Sequence, residues 1–240
     1  MTDVLIEPRV TGKNRTRRSS KKLSAGVRTL AAACLAPPVN RSSEELQLRV
    51  AATEWGRKRL PGCRVIHELV CGERRADMAI VGEKDLIGIE IKSSRDKLDR
   101  LDEQLKEYGR YFPEVWLFIA PKWIGAARKL SGVNVAVVRD GRAEVLRPPK
   151  ARKPYRDELV TARMLEWLWV EEAARIASRT QVIPGPSVST RYPTANVRKL
   201  LARLLTGNEI IREVCRELRA RPLVGLMSDA PCRAQVEGKA

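Results

Sequence analysis

The chain has 240 residues, 43% hydrophobic and 31% charged, with 46 Lys and Arg against 29 Asp and Glu and a formal charge of +17. This composition excludes a wholly disordered chain and leaves room for one sizeable core with a smaller module beside it. It directs attention to polyanions, nucleic acid first, while an aromatic content of 5% leaves little material for stacking single-stranded bases.

No run of eighteen apolar residues occurs, so no membrane span and no membrane partner are expected. The five cysteines are scattered and include no C-x-x-C pair. That disfavours a disulfide framework or a zinc ribbon and fits a reducing, cytoplasmic setting. Residues 1–41 carry +7, residues 42–147 only +3, and residues 148–240 again +7. The first segment lacks sustained periodicity and reads as a disordered basic arm ending at Pro37-Pro38.

Ser42 or Ser43, followed by Glu44, Glu45 and apolar Leu46, Val50 and Ala51, predicts a capped helix to about Arg59, stopped by Pro61-Gly62. Three β-type runs follow, Arg64–Val70, Arg75–Val81 and Leu86–Lys92, separated by the four-residue turns Cys71–Arg74 and Gly82–Asp85. Arg95 to Phe112 reads as one helix, with Ser93, Ser94 and Asp96 as caps. A buried strand at Val115–Ala120, a helix at Lys122–Leu130 and a strand at Val133–Val138 complete a core ending near residue 147.

Three prolines make residues 148–156 a stiff basic linker. Asp157 to Ser178 predicts one helix with Leu165, Leu168, Trp169, Ala173 and Ile176 inward. After a Pro/Gly loop, helices at Ala195–Leu205 and Glu209–Ala220 are joined by Thr206-Gly207-Asn208. Val197, Leu200, Leu201, Leu204, Ile211, Val214 and Leu218 face inward, and Arg198, Lys199, Arg203, Arg212, Arg216 and Arg219 outward. The helical domain spans 157–226 and residues 227–240 form a tail. The two helices are either a DNA-binding helix-turn-helix or a helical hairpin packed on the core.

Closed turns place Val81 opposite Leu86 and Val70 opposite Arg75, so Glu68, Asp77 and Glu90 fall in one cross-strand row with Lys92 on the same face. Met78, Ile80, Ile87, Ile89 and Ile91 form the opposite, core face, and His67 points away from Glu68 as a packing or surface residue. Three converging carboxylates repel one another. One compensation is a divalent cation, Mg²⁺ or Mn²⁺ given only hard oxygen donors; the other is a salt-bridge ladder of Glu90, Lys92 and Arg75. Gln104 and Tyr108, four apart on one helix, can both reach over the row.

These residues together resemble the PD-(D/E)XK nuclease superfamily. Ala76-Asp77 stands at its Pro-Asp position, Glu90-Ile91-Lys92 matches E-X-K, and Gln104 to Tyr108 matches Q-x-x-x-Y. The string from Arg74 to Ser93 is also similar to MmcB-type DNA-repair proteins. Small bacterial and phage proteins share the segment Glu90 to Asp96 and one like Leu168-Trp169-Val170-Glu171-Glu172. The resemblance implies an α/β (α+β), restriction-endonuclease-like αβββαβ core with a mixed central sheet, followed by the helical domain. It further implies a bacterial or phage-encoded Mg²⁺- or Mn²⁺-dependent deoxyribonuclease acting in DNA repair or phage DNA processing, with a catalytically silent nucleic-acid-binding protein as the alternative. Asp77, Glu90 and the Ile91 carbonyl would hold the metal, and Lys92 would be catalytic. Gln104 and Tyr108 would steady water or phosphate, and Glu44, Glu45 or Glu54 would add the first-helix acid that many members carry. The register adds Glu68 to the ligands. Arg74, Arg75, Ser93, Arg95, Arg198 and Lys199 are the expected DNA contacts, and a homodimer is an open possibility.

Overall fold

Helix α1 (Ser43–Arg59) starts where Ser42, in extended backbone, lets its hydroxyl accept from the Glu45 amide at 3.2 Å. Glu44 and Glu45 lie in its first turn and Arg57, Lys58 and Arg59 in its last, both favourable for the helix dipole. A computed structural model describes this helix and the rest of residues 41–131, 133–147, 158–183 and 194–222. The expected arm (apart from Arg41), the linker 148–156, residues 184–193 of the Pro/Gly loop and the tail 227–240 lie outside the described residues.

Strands β1 (Arg64–Cys71), β2 (Arg74–Val81) and β3 (Leu86–Lys92) form an antiparallel meander. The first turn is tighter than expected, because the strands run on to Cys71 and Arg74 and leave only Gly72-Glu73 between them. Gly72, at φ 58°, supplies the left-handed backbone this requires. The second turn is the expected four-residue one, closed by the Gly82 amide on the Asp85 carbonyl at 2.8 Å.

Helix α2 covers only Leu101–Tyr108, not Arg95 to Phe112. The Asp96 carboxylate accepts from both the amide and the hydroxyl of Ser93 at 2.7 Å, which ties residues 93–96 into a turn rather than a helix cap. β4 (Glu114–Ile119), α3 (Ile124–Lys129) and β5 (Asn134–Arg139) follow, with a short 3₁₀ turn at Pro121–Trp123 before α3. A strand not anticipated, β6 (Arg142–Arg147), returns through Asp140 and Gly141, both at positive φ.

The sheet order is β1-β2-β3-β4-β5-β6. β3, β4 and β5 are mutually parallel and the outer pairs antiparallel, so the chain is α+β with a mixed six-stranded sheet. One face buries Met78, Ile80, Ile87, Ile89, Ile91, Trp116 and Phe118 beneath Leu48, Ala51 and Ala52 of α1. Helix and sheet approach so closely that a Cβ at Gly56 would lie 2.9 Å from Ile80.

The C-terminal helices are α4 (Glu158–Met164), α5 (Val170–Arg179), α6 (Thr194–Leu204) and α7 (Gly207–Ala220). The single helix expected over 157–178 is broken by a 3₁₀ turn at Leu165–Trp167 and by extended Leu168 and Trp169. The Trp169 amide donates to Glu172 at 2.7 Å, starting α5 afresh. Thr206 and Glu209 cap α7 reciprocally. Ile66, Ala79, Val81, Tyr108 and Phe112 share one apolar cluster with Leu165, Trp167, Leu168, Ile176, Leu201, Ile211, Val214 and Leu218. The α6–α7 pair therefore packs into the same core as the sheet. Leu204, expected inside, is 57% exposed. Among the described residues no helix is long and apolar enough to cross a membrane.

Candidate active site

The ladder runs as the turns dictate. Val81 stands opposite Leu86 and Met78 opposite Ile89, while Val70 stands opposite Arg75 and His67 opposite Met78. Alternation, however, fails at one point. Ile66 and Leu69, three residues apart, face the same apolar cluster, and so do Ala76 and Ala79. A regular pleat puts residues three apart on opposite faces. The break lies at Glu68, whose φ of 57° is rare outside glycine, and at the facing Asp77; neither joins the β1–β2 pairing.

Glu68 sits in a cage of arginines, Arg41 at 2.6 Å, Arg49 at 2.9 Å and Arg75 at 2.8 Å, and the Arg49 nitrogen that meets it also meets Asp77. Arg49, which the sequence reading missed, is the centre of this group and only 3% exposed, on the buried face of α1. It donates to Glu45 at 3.2 Å, to the Asp77 carbonyl at 2.8 Å and to Asp77 Oδ1 at 3.1 Å. It also donates to His67 Nδ1 at 3.1 Å, which requires the neutral ring. Burial first, then the charges of Arg49 and Arg41, lower the His67 pKa to about 4. His67 and Glu68, expected on opposite faces, thus meet the same guanidinium. A visible signal was the i, i+4 pairing of Glu45 with Arg49 on a helix that otherwise buries Leu48, Ala51 and Ala52.

Glu90 and Lys92, two apart on β3, meet on one face of the strand. Glu90, 2% exposed, accepts from Lys92 Nζ at 2.7 Å through one oxygen and lies 2.8 Å from the Tyr108 hydroxyl through the other. Lys92 Nζ also reaches Gln104 Oε1 at 3.1 Å, so Gln104 and Tyr108 both extend over this row. The Ile91 amide donates to Asp77 Oδ2 at 2.8 Å, joining Asp77 to the same strand. Burial chiefly, and then the charge of Asp77, push the Glu90 pKa up to about 7 against the opposing pull of Lys92 and Tyr108. Burial and the Glu90 charge likewise raise the Tyr108 hydroxyl.

Of the first-helix acids, Glu44 accepts from the Ser94 amide at 2.9 Å and Glu45 pairs with Arg41 at 2.7 Å. Glu54 is nine residues beyond Glu45, about 13 Å along the helix, too far to join them. The expected DNA contacts divide. Arg95 and Lys199 are exposed. Arg74 is paired with Glu103 at 2.6 Å, and Arg75 is 61% exposed despite its bond to Glu68. Ser93 is 3% exposed and its hydroxyl donates to Asp96. Arg198, expected outside, turns inward to the Leu168 carbonyl.

Among the described residues no group of three or more His, Cys, Asp and Glu is arranged to hold a metal ion. Glu68, expected among the ligands, is ion-paired with Arg41, Arg49 and Arg75. The carboxylates of Asp77 and Glu90 suit Mg²⁺ or Mn²⁺ in kind, as hard oxygen donors, with Glu90 pushed up to about 7 by burial and the charge of Asp77.

The chain is 38% identical over 98 residues to Protein cII of Enterobacteria phage P4, a stretch that makes up 39% of this chain and 37% of that protein. It therefore spans well under half the length of that relative. A solved structure, the SPO1766 protein of unknown function from Silicibacter pomeroyi, is similar at 18% identity and a TM-score of 0.40, over 61% of this chain and 98% of that one. The profile of the family described as Bacteriophage P4 protein cII matches residues 40–221, which include every side chain of the site and all the helices packed beside it. The chain belongs to the Bacteriophage P4 protein cII family.

Proposed function

We propose that this protein is a metal-dependent nuclease of the PD-(D/E)XK type, hydrolysing DNA phosphodiester bonds on a restriction-endonuclease-like core. The observation that carries the reading is the buried Glu90 carboxylate held between Lys92 and Tyr108 beside Asp77. The element order α1-β1-β2-β3-α2-β4, with β1 to β3 antiparallel and β4 parallel to β3, supports it. A family named for a phage protein suits a role in phage DNA processing.

Asp77, Glu90 and the Ile91 carbonyl would hold Mg²⁺ or Mn²⁺, which supplies Lewis-acid activation of water and stabilisation of phosphate charge. Lys92 presents a fixed cation to the scissile phosphate, with Gln104 holding its ammonium in place. Tyr108 keeps Glu90 oriented, and Arg49 fixes Asp77 on both its carbonyl and its carboxylate. Plasmid, nicked, branched and single-stranded DNA incubated with Mg²⁺ or Mn²⁺ test the assignment. Cleavage is expected, and both Asp77→Ala and Lys92→Ala should abolish it; cleavage that persists in both variants overturns it.

Arg49 favours a second reading. Its guanidinium already neutralises Glu68 and Asp77, which is the electrostatic work of a cation, and a core so compensated binds nucleic acid without cutting it. Calorimetric titration with Mn²⁺ separates the two. Heat that disappears in Asp77→Asn supports the nuclease, and DNA binding without Mn²⁺ binding or cleavage supports the silent protein.

A further inference from the structure

At the far end of β1 from the carboxylates, α7 and the turn entering that strand enclose an open cleft of about 660 Å³. Four arginines line it. Arg64 stands on the strand side, and Arg212, Arg216 and Arg219 run down one side of α7. Two acids share the walls, Glu83 and Glu213. Glu213 is held chiefly from α5 by Arg179 Nε at 2.8 Å, with Arg212 Nε 3.9 Å away, so the walls carry four guanidinium groups against two carboxylates.

Two of the arginines meet backbone carbonyls. Arg64 Nη1 donates to the Arg219 carbonyl at 2.8 Å, and Arg219 Nη2 to the Gly62 carbonyl at 3.4 Å. Like charges gathered in a concavity repel one another unless an anion joins them. At 1.5 Å per residue the stripe from Arg212 to Arg219 is about 10 Å long, which matches about three nucleotides of a duplex strand at 3.4 Å each. Arg64 lies four residues from Glu68 on β1, about 13 Å, so a polynucleotide is long enough to reach from the candidate site to the cleft and a single nucleotide is not.

We propose that this cleft docks the phosphodiester backbone of nucleic acid, gripped by Arg64, Arg212, Arg216 and Arg219 independently of base sequence. The inference rests on the nucleic-acid substrate proposed above but not on the chemistry of hydrolysis. The test is binding of a short fluorescent DNA duplex to the full chain in EDTA over a range of KCl. Arg212→Gln with Arg216→Gln removes two phosphate contacts, so the log–log salt slope should become shallower by about 1.8 and affinity at low salt should fall about tenfold.

The comparison variant, Arg110→Gln with Arg142→Gln, removes the same charge from exposed positions elsewhere and should keep the wild-type slope. Equal slopes in the two variants, or a wild-type chain that does not bind the duplex, overturn the proposal. So does one-to-one calorimetric binding of inorganic pyrophosphate that the Arg212/Arg216 variant loses while its duplex binding stays intact, since that marks a small-anion site. EDTA suppresses cleavage, so failure here leaves the nuclease reading to its own assay, and a chain that never cuts DNA can still pass this test.

Discussion

The Tyr108 hydroxyl lies 2.8 Å from Glu90 Oε2 and 2.7 Å from the Arg75 carbonyl, yet it has one proton to donate. With Glu90 ionised, the two acceptors compete for that proton. With Glu90 protonated, the carboxyl can donate to Tyr108 while Tyr108 donates to Arg75, and every group is satisfied. Donation from Tyr108 to the ionised carboxylate, like that from Lys92, draws the Glu90 pKa down, while burial and the neighbouring Asp77 outweigh it and push the value up to about 7.

Tyr108→Phe keeps the buried ring and its edge contact with Phe112 but removes the hydroxyl. The ionised carboxylate loses a donor, so Glu90 should titrate at still higher pH. Carboxyl-carbon NMR of the variant reads this directly, and any metal-dependent cleavage should shift its rising limb to higher pH in parallel. The lost hydrogen bonds should cost about 1–2 kcal/mol in urea unfolding. An unmoved Glu90 titration would show that the hydroxyl serves Arg75 alone.

Glu90 also gives stability a pH dependence whose sign is fixed. Its folded pKa, about 7, lies above the ordinary value of 4.5. Between those limits the folded chain holds a proton that the unfolded chain has released, so this group makes stability fall as pH rises. His67 acts oppositely: its pKa is about 4 when folded against 6.5 ordinarily, so stability rises with pH across that interval. Comparing the wild type with Glu90→Gln isolates the first contribution. The variant should gain on the wild type by roughly 3 kcal/mol between about pH 4.5 and pH 8. His67→Gln should shift the balance in the other direction, its relative gain appearing as pH falls.

Arg49 is the counter-ion of the first two strands. Its side chain is 4% exposed and meets Glu45, Glu68 and Asp77. Arg49→Met should destabilise by about 3–5 kcal/mol, because it strands buried charge rather than merely deleting contacts. Glu68 retains Arg41 and Arg75, so the charge left worst off is Asp77. Adding Asp77→Asn should therefore recover part of the loss, with a coupling of about 0.5–3 kcal/mol in a double-mutant cycle. Strict additivity would contradict this account.

What could be read from the residues depended on whether each signal was local. The cap at Ser42, the stop at Pro61-Gly62 and the alternation in Leu86–Lys92 are local, and α1 and the β1–β3 meander follow from them. Glu90, Lys92, Gln104 and Tyr108 come together because i+2 on a strand and i+4 on a helix are fixed spacings. The break in the pleat at Glu68 was not legible because positive φ at a glutamate has no sequence marker. The helix expected from Arg95 yielded to a side-chain bond, Asp96 to Ser93, that propensity does not register. β6 did have a marker in Asp140-Gly141, a favoured hairpin pair, but its exposed and weakly apolar residues hid the strand.

Gly88 supplies the last prediction and ties the fold to the site. It lies in β3 two residues before Glu90, and a Cβ there would sit 2.5 Å from the Phe112 ring. The absence of a side chain lets Phe112 close over the sheet, with Tyr108 one turn earlier in the chain holding Glu90. Gly88→Ala must displace Phe112, at an expected cost of about 1–3 kcal/mol from overpacking. Because Phe112 meets Tyr108 edge to face, 6.4 Å between centroids, the displacement should also disturb the Tyr108–Glu90 bond and raise the Glu90 pKa. Phe112→Leu in the same chain makes room for the added methyl and should restore most of both losses. A Gly88→Ala chain that is destabilised but titrates Glu90 as the wild type does would show that the site tolerates repacking directly beneath it.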